Sequence, residues 1–144
     1  MDYRKLGDAI YIRVDRGEEI IASILEVCAR EGIASATYSG IGGCSATEIQ
    51  TFDPTQGQFR TEKLEGMLEL VSFMGNVISD DTGNRHHPTH ALYAFVKDGE
   101  HRVRGGHIKS STVLYTAEIE LRRVPGRGIG YMKDEETGTG FWRL

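Results

Sequence analysis

The segment from Arg85 to Ile108 constrains the fold of this chain more than any other stretch. An apolar run from His90 to Val96 precedes the turn Lys97-Asp98-Gly99-Glu100, and Gly105-Gly106-His107 follows. All five histidines lie in this segment. A hairpin would bring His107 back to the neighbourhood of His90, and neutral imidazole is the commonest protein ligand for zinc and similar metals. The segment therefore predicts a β-hairpin that carries a cluster of histidines.

Length and composition are those of an ordinary globular domain. At 144 residues the chain can bury a core without disulfide staples. A hydrophobic fraction of 39% with a charged fraction of 26% favours a folded chain over a disordered one. We predict one domain over residues 1–144, with its core at about 8–124 and a glycine-rich C-terminal tail at 125–144.

Charge and cysteine usage narrow the classes of function. The net charge of −4 argues against a protein that holds nucleic acid by general basicity. Cys28 and Cys44 are too few for a disulfide scaffold and form no CxxC pair, which favours a reducing cytoplasm. No apolar run is long enough to span a bilayer, and the first residues, MDYRKLGDAI, lack a signal-peptide core. We therefore expect a cytoplasmic protein without membrane association.

One amphipathic helix is predicted, directly after a strand at Ile10–Val14. The spacing of Asp15 and Glu18 is that of a capping box, in which Asp15 accepts from a free backbone N–H and Glu18 reaches back. Apolar residues then recur at helical spacing as far as Cys28, and Gly32 is a natural stop. No other part of the sequence predicts a helix as clearly.

The rest of the chain shows the alternation of strands joined by short turns. The glycines of Gly40-Ile41-Gly42-Gly43 lack the other residues of a phosphate-binding loop, so we predict a β-bulge or a close approach of two backbones. Strands are predicted at Ile33–Gly40, Ala46–Phe52, Phe59–Leu64 and Thr112–Val124, the last with Tyr115 on its apolar face. One helix against six to eight strands predicts an α+β fold, a largely antiparallel β-sheet with one main α-helix.

The C-terminal tail has a different character. Its stretch Pro125-Gly126-Arg127-Gly128-Ile129-Gly130 is too rich in glycine to predict regular structure. The aromatic pair Phe141-Trp142 nevertheless predicts that the tail docks on another surface, without indicating which one.

The apolar run Glu65–Val77 predicts a strand buried on both faces, with Glu69 in its middle. A carboxylate buried there would need a partner, or its pKa would rise. One interpretation is an edge or subunit-facing glutamate that pairs with an arginine. The other is a polar residue of a pocket.

Several of these stretches, taken in order, resemble the PPC domain (plants and prokaryotes conserved). The resemblance covers about residues 8–124 and therefore nearly the whole chain. It rests on Gly17-Glu18 before the helix, Ile33-Ala34-Ser35-Ala36, Ser39-Gly40-Ile41-Gly42, Glu69-Leu70-Val71-Ser72-Phe73-Met74-Gly75-Asn76 and Gly105-Gly106-His107-Ile108.

This resemblance implies a compact subunit that assembles as a homotrimer. In plants the domain follows AT-hook segments, which bind the minor groove, and serves self-association and partner contacts. Prokaryotic members consist of the domain alone and are often labelled DNA-binding by analogy. The present chain has no Arg-Gly-Arg-Pro AT-hook. From the family motifs we assign six residues to a pocket or subunit interface: Glu69, Ser72, Gly75, Asn76, Gly105 and Gly106.

Some family members also hold a metal by histidines of His-x-His and GGH motifs. Here His90 matches the second histidine, whereas Pro88 replaces the first and His87 lies just upstream. We expect His87, His90 and His107 to hold a divalent transition metal, with zinc first. The alternative is a set of hydrogen-bonded histidines near a subunit interface. His101 is expected to be solvated and without a role.

Three classes of function stay open. The first is an oligomeric domain associated with DNA or with other proteins. The second is a metal-dependent enzyme or small-ligand-binding protein that uses His87, His90 and His107. The third is a purely structural trimer. No Ser-His-Asp constellation or carboxylate pair is legible, which leans against an enzyme. DNA binding is expected to be weak or indirect, through a basic patch at most, of Arg102, Arg104, Lys109, Arg122 and Arg123.

Overall fold

Long antiparallel strands dominate this computed structural model, which describes residues 1–125 and 128–144. The elements are β1 Asp2–Leu6, β2 Ala9–Asp15, α1 Ile20–Arg30, β3 Ser35–Asp53, β4 Gln58–Ser79, β5 Arg85–His86, β6 Thr89–Lys97, β7 Glu100–Arg123, β8 Gly130–Lys133 and β9 Gly140–Arg143. Strands hold 68% of the residues, whereas α1 has 11 residues. The predicted antiparallel sheet with one main helix is therefore confirmed, with a smaller helical part than the term α+β suggests. Strand β1 is an addition that alternation alone did not predict.

The main sheet has seven strands and closes on itself. Its order is β1-β2-β7-β3-β4-β5, and β6 pairs with both β4 and β7. Because β3 also pairs with β4 and β7, the four strands β3, β4, β6 and β7 form a closed antiparallel ring. The ring interior and the space under α1 share one apolar core, which includes Phe73, Tyr93, Ile119 and Leu121.

Helix α1 begins where its sequence periodicity begins, but its cap differs from the prediction. Glu18 does reach back to the backbone N–H of Asp15, at 2.8 Å. The Asp15 carboxylate, however, accepts from Arg13, and the N-cap residue is Glu19. One Glu19 oxygen accepts from the Ala22 N–H at 2.6 Å and the other from the Ser111 N–H at 2.9 Å. The cap thus joins the helix to β7.

The outer face of the sheet is open, which corrects three predictions. Buried and exposed residues alternate from Leu68 to Val71 of strand β4, so this part of the strand is not buried on both faces. Glu69 is exposed in the single chain, so it is not the buried carboxylate that the apolar run predicts. Tyr115 is 64% exposed and lies off the apolar face of β7. The pairing of β3 with β7 shifts register on either side of Cys44, and these shifts interrupt the alternation of β7 next to Tyr115.

The glycine-rich stretch within β3 confirms the predicted bulge and close backbone approach. The β3–β4 register shifts between Gly40 and Gly42. A Cβ on Gly40 would lie 2.3 Å from the Ile119 side chain, and one on Gly42 would lie 2.7 Å from the Ala117 Cα. Only glycine lets these strands approach so closely. Strand β3 continues through this register shift as one strand.

The tail differs from the prediction in part. Strands β8 and β9 form a hairpin, so regular structure begins at Gly130, while Gly126 and Arg127 lie outside the described residues. Docking of the tail is confirmed: Arg143 donates to both oxygens of Asp81 at 2.8 and 3.0 Å. Across residues 1–125 and 128–144, no helix is long and apolar enough to cross a membrane.

Candidate functional site

The hairpin of β6 and β7 forms as the sequence predicts. Lys97 pairs with Glu100, so Asp98 and Gly99 make a two-residue loop. Both have positive φ, 55° and 78°, which is the requirement of a type I′ turn. The turn sets the register of the two strands and therefore decides which residues face each other farther along.

His90 and His107 lie directly opposite each other in this register. Their ring centroids are 5.3 Å apart, and the planes meet edge to face at 81°. Residues opposite each other on antiparallel strands share a face of the sheet. The row continues to Met74 on β4 and to Gln50 on β3. The two histidines therefore lie on the outer face, His90 exposed and His107 half-buried.

The electrostatics of the pair favour an uncharged His107. Burial lowers the pKa of His107 below its ordinary value of 6.5, and the nearby His90 and His87 lower it further. A neutral imidazole keeps its nitrogen lone pair for a metal ion. His107 is thus prepared for ligation at neutral pH.

The approach of His87 to this pair depends on a buried hydroxyl pair. Tyr38 is buried and its Oη lies 2.6 Å from Thr89 Oγ1, which donates to the carbonyl oxygen of His87 at 2.8 Å. Gly75 makes room for this arrangement, since a Cβ there would lie 2.5 Å from both Tyr38 Oη and the Pro88 carbonyl oxygen. The buried Tyr38 and Thr89 hydroxyls therefore hold the backbone from His87 to Thr89 in place.

The donor set fits a metal ion in part. Two imidazoles face each other, and a third is near enough to affect the pKa of His107. Among the described residues, no three His, Cys, Asp or Glu side chains already surround one point. A three-histidine site therefore requires His87 to turn toward the pair.

The remaining histidines are elsewhere. His101 is exposed and pairs with Val96 near the turn, as expected of a solvated residue. His86 lies on β5, where Nε2 is 2.9 Å from Asp80 Oδ2 and the ring stacks on Tyr131.

The residues assigned to a pocket or interface divide among several places. Ser72 lines a hollow of about 730 Å³ on the outer face, and Glu69 lines another of about 620 Å³ between β4 and the β6–β7 hairpin. Asn76 lines a cavity under the tail. The space beside Gly105 is filled by β6, because a Cβ there would lie 2.6 Å from the Ala91 carbonyl oxygen. The space beside Gly106 is filled by β3, because a Cβ there would lie 2.8 Å from the Gln50 carbonyl oxygen.

Sequence reasoning missed the loop and tail residues around His86. Asp80 Oδ1 accepts from the Thr82 and Asn84 N–H groups at 2.9 and 3.0 Å, and Tyr131 covers the imidazole. The Asp-x-Thr-x-Asn pattern is typical of a side-chain-capped turn and was the available signal. Nothing in the local sequence connects it to Tyr131.

Comparison with known proteins places the chain in a family. The profile of the Plants and Prokaryotes Conserved (PCC) domain matches residues 1–125. No curated protein sequence matches the chain.

Three solved structures share the fold. A plant- and prokaryote-conserved (PPC) protein of Pyrococcus horikoshii has 30% identity and a TM-score of 0.81, over 99% of this chain and 95% of that one. A metal-containing protein of Archaeoglobus fulgidus has 28% identity and a TM-score of 0.81, over 100% and 99%. A candidate DNA-binding protein of Bacteroides thetaiotaomicron has 18% identity and a TM-score of 0.86, over 99% and 96%. The chain belongs to the Plants and Prokaryotes Conserved domain family.

Proposed function

We propose that this chain is a homotrimeric, metal-binding domain protein whose His90 and His107 hold a divalent transition metal, with zinc the best match. The direct pairing of the two histidines across β6 and β7 carries the proposal. Zinc binds imidazole nitrogen at about 2.0–2.1 Å and takes three or four ligands. The two neighbouring imidazoles on paired strands supply two of these ligands.

His87 is the proposed third ligand. It lies near enough to His107 to lower the pKa of that residue, and the Thr89 hydroxyl donates to its carbonyl oxygen. The Archaeoglobus fulgidus relative is described as metal-containing and aligns over the whole chain, which supports a metal in this chain too. A fourth position would be left for water or for a group from another subunit.

The open outer face supports self-association. Large apolar side chains are half exposed there, namely Tyr11, Ile41, Val71 and Met74, and they line one hollow. An uncovered apolar patch of this kind is typical of an interface. Met74 adjoins His90 in the same cross-strand row, so the proposed metal site would border the proposed subunit contact.

The proposed role is association with proteins, and DNA binding is at most weak or indirect. Four of the five cations of the expected basic patch pair with carboxylates. Arg102 pairs with Glu100, Arg104 with Glu62, Lys109 with Glu48 and Arg122 with Glu120, at 2.5–3.6 Å. Phosphates would have to compete with these pairs, in a chain of net charge −4. The two buried free thiols agree with the proposed cytoplasmic location.

A second candidate shares the same histidines. Because His90 is exposed, an ion held there would be open to solvent and could activate water or bind a small ligand. A metal-dependent enzyme or a small-ligand-binding protein is therefore the alternative function.

Metal content tests the proposal. Purified wild-type protein, dialysed against zinc and then against buffer, should retain about one ion per chain. His107→Ala and His90→Ala should lose it, whereas His101→Ala, on the same hairpin, should retain it. Equal retention in His107→Ala and His101→Ala would show that the histidines are a polar patch without a metal.

A further inference from the structure

A small aromatic cavity lies under the tail hairpin, apart from His87, His90 and His107. It has a volume of about 300 Å³ and opens between the ends of β4 and β5 and the β8–β9 hairpin. Its walls include Asn76, Ile78, His86, Tyr131, Phe141 and Trp142. Ligand pockets begin at roughly this volume, so the cavity suits one flat ring system rather than a large ligand.

The walls are aromatic and flat. Tyr131 and Trp142 are opposite each other in the β8–β9 register and so share one face of the hairpin. Tyr131 stacks on His86 with parallel rings, which fixes that wall. Trp142 is 45% exposed, so a large part of its indole is free to contact a ligand. Such surfaces bind planar rings by stacking.

Asn76, one of the wall residues, carries an unused acceptor. Its Oδ1 is buried and accepts no hydrogen bond from the described part of the chain. The backbone of Asn76 pairs with Thr37, and its N–H donates to the Pro88 carbonyl oxygen at 3.2 Å. An unsatisfied buried oxygen costs about 1–3 kcal/mol. A ligand with an N–H at its edge would remove that cost.

The cavity is built on fixed parts. Asp81 holds Arg143 through both carboxylate oxygens, and the Ser35 hydroxyl accepts from the Ile129 N–H at 3.2 Å. Both strands of the hairpin are thus attached to the domain at its open end, where Gly130 pairs with Arg143, and the neighbouring Tyr131 is positioned before a ligand arrives. Preorganisation of this kind lowers the entropic cost of binding.

We propose that this cavity binds a purine base with an exocyclic amino group, such as adenine. The ring stacks on Trp142 and the amino group donates to Asn76 Oδ1. In nucleic-acid recognition Asn and Gln side chains pair with the N6 and N7 edge of adenine, and the amide oxygen accepts from the N6 amino group. The base could come from a free nucleoside or from an unpaired strand, which supply the same chemistry. This inference requires neither the metal nor the trimer.

Trp142 is the single tryptophan of the chain, so its fluorescence reports on the cavity directly. Adenosine should quench it saturably, whereas purine riboside, which lacks the amino group, should bind about three- to tenfold more weakly. Asn76→Ala should weaken adenosine binding by a similar factor and remove the preference over purine riboside. Glu135→Ala, at an exposed residue between the two strands of the hairpin, is the matched control and should bind as wild type does.

Calorimetry with Trp142→Ala provides a second test in case Asn76→Ala does not fold, since Trp142 lies outside the family-matched residues. The affinity of Trp142→Ala for adenosine should be at least about fivefold lower than that of wild type. Saturable binding of adenosine identifies a free nucleoside as the source. Binding of an oligo(dA) strand without adenosine binding identifies the unpaired strand. Absence of both, equal binding of adenosine and purine riboside, or equal binding by wild type and Trp142→Ala would overturn the proposal.

Discussion

The ring of Tyr131 lies flat on the imidazole of His86, with centroids 3.5 Å apart and planes 2° from parallel. The stack depends on Gly140, because a Cβ there would lie 2.3 Å from Tyr131 Oη. Gly140→Ala should therefore displace the Tyr131 ring from His86 and loosen the hairpin. Hydrogen exchange should become faster over residues 130–143 and stay unchanged over β3. Met132→Ala is the control, and unchanged exchange in Gly140→Ala would contradict this account.

The loop before β5 should make stability depend on acid pH. Hydrogen bonds from Thr82 and then His86 hold the pKa of the Asp80 carboxyl well below its ordinary value of 3.8. A group whose pKa falls on folding stabilises the fold above its unfolded pKa and loses that contribution as pH falls through the folded value. The urea midpoint of wild type should therefore decline below about pH 4. Asp80→Asn should be less stable at neutral pH and should decline less, and parallel curves would contradict the prediction.

A buried hydroxyl chain inside the ring of strands should contribute measurably to stability. Tyr93 Oη accepts from Thr47 Oγ1 at 3.1 Å and donates to Ser111 Oγ at 2.9 Å. Burial raises the pKa of Tyr93 to about 12, so it is un-ionised at neutral pH. Tyr93→Phe should lower the free energy of unfolding by about 1–2 kcal/mol in a urea titration. The exposed Tyr115→Phe should have almost no effect, and equal effects would contradict the assignment.

The outer face should govern assembly. If the trimer forms there, Val71→Glu places a charge in an apolar contact and should shift the mass in light scattering from three chains to one. Val71 is 52% exposed in the single chain, so folding should survive. Leu144→Glu is the control, at a residue 98% exposed. A monomeric wild type at micromolar concentration would remove the basis of this prediction.

Binding to bare duplex DNA should be weak and should fade with salt. Carboxylates already neutralise most cations of β7, so few phosphate contacts are available. Fluorescence anisotropy should show no sequence preference and little binding at physiological ionic strength. Nanomolar, sequence-specific binding under those conditions would contradict the prediction.

The sequence by itself determined the local features. The Asp98-Gly99 turn follows from the backbone that a two-residue hairpin requires, and the spacing from Ile20 to Cys28 follows from helical periodicity. Once that turn is known, the pairing of His90 with His107 follows by counting residues. The resemblance to the PPC domain adds the long-range arrangement, which counting residues cannot supply. The family profile that matches residues 1–125 confirms this resemblance.

Only the tertiary structure decided which faces are covered and which distant residues meet. Glu69 is exposed because no layer covers that side of β4, and Tyr115 is exposed because register shifts interrupt the alternation of β7. Asn76 meets Trp142 at one cavity although 66 positions separate them along the chain. These outcomes depend on the closure of β6 against two strands and on the docking of the tail. Both are long-range contacts, and periodicity, which is a local property, carries no information about them.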